Sequence, residues 1–187
     1  MARLRALLAA AAIAAAAPIP PLSAQSAAGQ TAAAAAAKVD AATEQYVREA
    51  ARQDRAAIEA SRLVLERSAR TPVREAAKKV LDERTKAQHR LTTAASVQAL
   101  GVRPDKSAAE AGEKSVEALR ATAPEGLDRA YVRLAIETHE VALKLQQRYG
   151  DDGANDALRS NAMADAIQID ARLGDLRRLA RELDGAS

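Results

Sequence analysis

The sequence predicts an all-α protein, an antiparallel bundle of four long helices with one extra short helix. Three observations predict this class. From residue 40 onward, apolar residues recur every three or four positions, as on one face of an α-helix. Sustained alternation of polar and apolar residues, the mark of a half-buried strand, is absent. Pro72 and Pro124 stand where a helix begins, a position that tolerates the missing N–H of proline.

The ends of the helices follow from capping and breaking residues. Asp40 and Thr71 are predicted N-caps because their side chains accept bonds from free N–H groups. The stretch GDDG at 150–153 is predicted as a turn, and Gly185 as the end of the last helix. The helices are therefore expected at about 40–69, 71–100, 107–120, 124–149 and 154–183.

Residues 1–24 have the three-part pattern of a secretory signal peptide. Arg3 and Arg5 form a basic start, an uncharged apolar run covers residues 6–17, and Ala24 ends a small-residue cleavage site. The alternative is an uncleaved anchor, but the run is shorter than the ~20 residues that span a bilayer. We therefore expect an exported periplasmic protein that is not an integral membrane protein after cleavage. Residues 25–39 are an alanine-rich tether and 40–184 the bundle domain.

The charge balance argues against a nucleic-acid partner. The chain has 28 basic and 25 acidic residues, and removal of Arg3 and Arg5 leaves 26 minus 25, or +1. Three tyrosines are the only aromatic residues, whereas readers of RNA and single strands stack bases on such rings. No cysteine is present, which excludes disulfides and thiolate metal sites.

Three charged residues lie on apolar helix faces. Arg84 is central to the face of VREAAKKVLDERTKAQHRL (73–91), and Asp54 and Asp165 lie within the apolar faces of the first and last helices. Because an isolated buried charge is costly, we expect a structural ionic layer of Arg84 with Asp54, Asp165 or both. The alternative is that Arg84 reaches water along its aliphatic stem.

The helix predicted at 124–149 has a second apolar patch, made of Val132, Ile136 and Leu143. A surface helix needs only one apolar face. We therefore expect this helix to be the most enclosed one, with the patch covered by the short helix or by a second subunit. A homo-oligomer is one way to satisfy this pattern.

Metal ligands are few in the sequence. His139 lies at the edge of its helix's apolar face, and His89 lies on a solvent face. The stretch ETHE at 137–140 lacks the Glu-x-x-His spacing of di-metal helical bundles. The candidate ligands for a metal would be His139, Glu140, Asp54 and Asp165. No catalytic residue and no cofactor are predicted.

The stretches TPVREAAKKVLDERTKA and LDRAYVRLAIETHE carry a family resemblance. Over roughly residues 43–180, the chain resembles the exported bacterial family called domain of unknown function 4142. That resemblance implies a ferritin-like helical bundle behind a signal peptide. It also implies histidine at the position of Arg84, glutamate at that of Ala57 and a histidine in the last helix. Here His139 alone matches the family's inward histidines, so most of any metal or proton-handling site is replaced.

Two classes of function remain open from the sequence. The first is a non-enzymatic periplasmic module that binds an unknown protein or envelope partner or contributes to envelope stress tolerance. It is favoured because the sequence has no phosphate-binding glycine loop and no nucleophile motif. The alternative is a ferritin-like metal-binding protein with a degenerate site around His139.

The leader yields the first testable prediction. Intact-mass and N-terminal peptide spectra of the protein recovered from a bacterial host should show a chain beginning at or near Gln25, because cleavage is expected after Ala24. A chain that retains Met1 in the membrane fraction would show that the leader is an anchor.

Overall fold

The structure is a computed structural model, and it describes residues 40–97 and 106–185, without the side chains of residue 97 and residues 106–112. The predicted leader, the tether and the end of the second helix at Gly101 lie outside the described residues. The elements are α1 (Ala41–Arg67), α2 (Thr71–Val97), α3 (Lys106–Ala121), α4 (Pro124–Asp152) and α5 (Asp156–Gly185). In the described ranges there is no strand, which confirms the all-α prediction.

Helices α1 and α4 are antiparallel neighbours. The hydroxyl of Tyr46 donates to Oε1 of Gln146 at 2.8 Å, and the hydroxyls of Ser61 and Tyr131 are 3.0 Å apart. Residue numbers therefore rise along α1 in the direction in which they fall along α4. The two tyrosines satisfy their hydroxyls inside the bundle while their rings fill it.

Helices α2 and α5 are antiparallel as well. Arg172 forms an ion pair with Glu83, and Arg90 lies 3.5 Å from the carboxylate of Asp165. Because α1 also packs on α2 and α4 on α5, the four long helices form a closed square in which every adjacent pair is antiparallel. Consequently α2 and α4 are diagonal and run in the same direction.

The short helix α3 belongs to the crossover that this topology requires. A chain leaving the end of α2 must return along the bundle before α4 can begin. The guanidinium of Arg67, at the end of α1, donates to the carbonyls of Arg120 and Thr122, each at 2.8 Å. The end of α3 therefore lies beside the end of α1, and Val116 and Leu119 join the core there.

Two end clusters and a middle one make up the core. The end cluster around Tyr46 and Tyr149 contains a stacked pair of rings with centroids 3.7 Å apart. Many remaining core positions are alanine, which lets helices approach closely but buries little apolar area per residue. None of the helices in the described ranges is long and apolar enough to cross a membrane.

Several predicted helix ends are shifted. Asp40 caps α1 as predicted, with Oδ1 accepting from the amide of Thr43 at 2.9 Å. Thr71 is the first helical residue rather than the cap, since the amide of Arg74 already bonds the carbonyl of Arg70 at 3.0 Å. At the other end of the chain, α5 is helical as far as Gly185, beyond the predicted last helical residue Leu183.

The predicted turn at 150–153 is wrong over most of its length, because α4 continues to Asp152. Gly150 stays helical and lets α5 approach closely, since a Cβ there would lie 3.0 Å from Cγ of Met163. Gly153 ends the helix instead. Asn155 then caps α5, its side chain accepting from the amide of Leu158 at 3.0 Å.

The second apolar patch of α4 is covered differently from the prediction. Val132 is buried, and Ile136 and Leu143 are half-buried against a cluster that includes Ile169 and Leu173 of α5. Helix α5, rather than the short helix, therefore covers much of this patch, and the cover of its exposed part by a second subunit stays a prediction. The closed square gives α4 two long neighbours, and each takes one apolar face.

The glycine at the end of α4 gives a prediction with an internal control. A Cβ on Gly153 would lie 2.5 Å from the carbonyl oxygen and 2.6 Å from Cε1 of Tyr149, so Gly153→Ala should lower the free energy of unfolding by about 1–3 kcal/mol. Gly174→Ala, with no atom within 4 Å, should raise it by about 0.5–1 kcal/mol. Urea denaturation of both variants checks this, and equal effects would contradict it.

Candidate functional site

Arg84 lies at the centre of the bundle with both predicted acids around it. Its Nη1 and Nη2 donate to the two oxygens of Asp165 at 2.9 and 2.8 Å, and Nη1 also donates to Asp54 at 3.3 Å. Arg84 is only 3% exposed, so its guanidinium does not reach water along its stem. The bidentate pair with Asp165 is the stronger contact because both donors are aligned with carboxylate oxygens.

The charges of this layer do not balance if both acids are ionised. Burial raises the pKa of Asp54 to about 7, with the charge of Asp165 adding to the effect and Arg84 opposing it. Arg90 approaches Asp165 from the rim but is about one-third exposed. Asp54 therefore binds a proton more readily than an ordinary carboxyl group does, which relieves the imbalance. With that proton in place, Arg84 and Asp165 form a neutral ion pair.

His139 on α4 is also buried, at 2% exposure. Its Nδ1 lies 2.7 Å from the carbonyl oxygen of Ala135, so Nδ1 carries the proton and donates it. Burial, and next the positive charge of Arg84, lower the pKa of His139 to about 4. The imidazole is therefore neutral near pH 7, with its lone pair on Nε2. That nitrogen is buried and has no protein partner.

The four candidate metal ligands do not form one set. Glu140 points to the surface, where its carboxylate pairs with Arg177 at 2.7 Å. Asp54 and Asp165 bond the guanidinium of Arg84, a fixed cation in the place that a metal would need. In the described part of the chain, no three His, Cys, Asp or Glu side chains converge to hold a metal ion. The residues present therefore do not fit the metal site of a ferritin-like bundle.

A row of polar pairs between α1 and α4 was missed by the sequence analysis. Each pair joins a small or amide side chain to a tyrosine: Thr43 with Tyr149 at 2.9 Å, Tyr46 with Gln146 at 2.8 Å, and Ser61 with Tyr131 at 3.0 Å. The sequence did contain a sign of these pairs, because the three tyrosines of the chain all fall on apolar helix faces. A buried tyrosine hydroxyl generally needs a partner.

Removal of Arg84 should strand two buried acids. Arg84→Met is expected to cost about 3–5 kcal/mol, as for other broken buried ion pairs. Adding Asp54→Asn and Asp165→Asn should recover much of that loss. Lys86→Met is the matched control on α2, since Lys86 pairs with Asp82 at an exposed site and should cost no more than about 1 kcal/mol. Denaturant unfolding decides, and a single-variant cost as small as the control would refute the structural role.

The two buried titrating groups should have opposite effects on stability. Asp54 has a folded pKa above its ordinary 3.8, so its contribution is complete below that value and is lost as pH rises toward 7. His139 has a folded pKa below its ordinary 6.5, so its contribution is complete above that value and is lost as pH falls toward 4. Between pH 4 and 6.5 the two trends cancel in the wild-type protein.

Single variants should therefore reveal each trend. In Asp54→Asn, only the titration of His139 remains. The free energy of unfolding of this variant should therefore rise with pH, relative to wild type, by roughly 1 kcal/mol per pH unit. His139→Gln should show the opposite slope. Urea denaturation at pH 4, 5 and 6 measures both slopes. Retention of the wild-type slope in both variants would contradict the assigned protonation states.

The comparisons with known proteins agree with this architecture. The crystal structure of a DUF305 fragment from Deinococcus radiodurans superposes with a TM-score of 0.68, covering 77% of this chain and 98% of that one at 18% identity. At that identity the likeness concerns the fold alone. No curated protein matches the chain. The model of a family described as a domain of unknown function (DUF4142) matches residues 28–179, most of the sequence, and the chain belongs to this family.

Proposed function

We propose that the protein is an exported periplasmic helical bundle that acts by binding, without catalysis, and serves an envelope partner or envelope stress tolerance. The leader pattern at residues 1–24 supports the export. The observation that carries the non-enzymatic part is the pairing of Arg84 with Asp54 and Asp165. Both acids are held by a permanent cation and so are not free to ligate a metal, and their burial keeps a substrate from the proton of Asp54.

The same pairing explains the role of the charged layer in the proposed module. Arg84 is on α2, Asp54 on α1 and Asp165 on α5, so the layer holds three helices at one level. Sliding one helix by a turn would leave a buried charge without its partner, which is costly. The layer therefore acts as a register device for the bundle.

The second candidate is a metal-binding protein with a degenerate site around His139. One observation favours it: Nε2 of His139 is buried, neutral and without a protein partner. A single imidazole is a poor metal site, because helical-bundle sites assemble several convergent ligands. We therefore rank it behind the binding module.

Metal content tests the choice between the two candidates. Protein purified from the periplasm without chelators should contain well under one equivalent of transition metal by elemental mass spectrometry. His139→Gln and the matched surface variant His89→Gln should give the same value. About one equivalent that persists in His89→Gln and disappears in His139→Gln would overturn the proposal.

The envelope role has its own measurement. A strain that lacks this protein should survive osmotic or detergent challenge less well than its parent. The exported chain should restore survival, whereas a chain without residues 1–24 should not. Equal rescue by both chains would place the role outside the envelope.

A further inference from the structure

The row of polar pairs between α1 and α4 has one incomplete position. Gln53 and His139 fall in the same antiparallel register as Ser61 with Tyr131, since the residue numbers of both pairs have the same sum. Gln53 and His139 are 9% and 2% exposed. Oε1 of Gln53 and Nε2 of His139 are both buried and both lack a partner in the protein.

Both orphan atoms are hydrogen-bond acceptors. Nδ1 of His139 donates to Ala135, which leaves the lone pair on Nε2. The amide nitrogen of Gln53 donates to Glu49 at 2.9 Å, which leaves Oε1 as the acceptor. A buried polar atom without a partner costs about 1–3 kcal/mol, and few native groups remain so. Two unpaired acceptor atoms at the same level of the bundle indicate that a hydrogen-bond donor from outside the chain binds there.

A cavity of about 250 Å³ lies at this level, lined by Gln53 and His139. The rest of its wall is largely apolar and comes from all of the first four helices, with Ala57, Ala60, Val80, Val116 and Leu134 among the lining residues. The volume far exceeds the ~30 Å³ that one water molecule occupies in the liquid. Small apolar pockets with a few convergent polar groups are the usual form of ligand sites.

Two hydroxyl groups of the wall already donate to backbone carbonyls. Ser61 donates to the carbonyl of Ala57 at 2.7 Å, and Thr138 donates to that of Leu134 at 2.8 Å. The guanidinium of Arg52 is bound to the carboxylate of Glu49. An anion is disfavoured because Nε2 of His139 and Oε1 of Gln53 would present lone pairs to it rather than protons. A cation would have to lose its hydration, and it would meet the charges of Arg84 and Arg172, which after burial lower the pKa of His139.

We propose that this cavity binds a small neutral hydroxyl compound with an apolar body, whose O–H groups donate to Nε2 of His139 and Oε1 of Gln53. A single aromatic or aliphatic ring suits the volume, and the alanine and valine walls provide its apolar contacts. This inference rests on the proposed binding role. Its failure would leave the export, metal and register tests unaffected.

The two histidines of the chain provide a direct readout. Phenol, catechol and anisole are the probes, because they share a ring and differ in hydroxyl donors. Imidazole ¹⁵N spectra of the purified protein should show the Nε2 signal of His139 moving upfield on addition of phenol, as expected for a lone pair that accepts a proton donor. The signals of exposed His89 should stay in place. Catechol should bind more tightly than phenol, and anisole about tenfold more weakly.

Variants separate donor recognition from simple cavity filling. His139→Leu and Gln53→Leu should each weaken catechol binding about tenfold by calorimetry. His89→Leu is the matched control and should leave the affinity unchanged. Ala60→Leu keeps both acceptors but fills the cavity, so it should abolish binding. Circular dichroism and thermal unfolding verify that each variant is folded.

Three results with the wild-type protein would overturn the proposal. They are equal affinity for phenol and anisole, an unchanged His139 signal under saturating catechol, or no binding of any probe at millimolar concentration. The last result would mean that water alone occupies the cavity. Retention of catechol binding in a folded Ala60→Leu variant would place the ligand elsewhere and also overturn it.

Discussion

The structure depends on one arginine that satisfies two acids inside the bundle. Arg84 joins Asp165 through two short hydrogen bonds and Asp54 through a longer one, all beyond the reach of solvent. Net gains from buried ion pairs are small, whereas an incomplete pair is heavily penalised. The layer therefore contributes more to the uniqueness of the helix register than to stability. It also acts on a fourth helix, because the field of Arg84 helps keep His139 of α4 neutral.

The alanine-rich core accounts for both the close helix packing and the cavity. Alanine lets backbones approach, but it provides few atoms to fill the space where a third helix meets a pair. Ala57, Ala60 and Ala135 face that space at the level of His139. At the opposite end, Tyr46 and Tyr149 stack and leave little void. The distribution of large and small side chains along α1 and α4 thus determines where the bundle is open.

The periodicity of the sequence predicted the helices and the inward position of Arg84, because a helical face depends on spacing alone. It did not predict the crossover, since spacing contains no information on the direction or neighbours of a helix. Gly150 was assigned to a turn because its role, close approach of α5, is a tertiary one. The sequence could have predicted that His139 and Glu140 do not share a site, because adjacent helical residues point about 100° apart. One of them had to face outward, and Glu140 does.

The family resemblance gives the arginine a chemical meaning. That resemblance implies a histidine at the position of Arg84. A neutral imidazole between Asp54 and Asp165 would leave a cation deficit, which a bound metal or protons could fill. Arginine supplies one permanent cation, because it does not lose its proton in proteins, and a proton on Asp54 balances the remaining charge. A single substitution thus separates a site able to exchange cations from one that carries its own cation. What remains of a site in this chain is the neutral His139, which has a buried unpaired nitrogen and lines a largely apolar cavity.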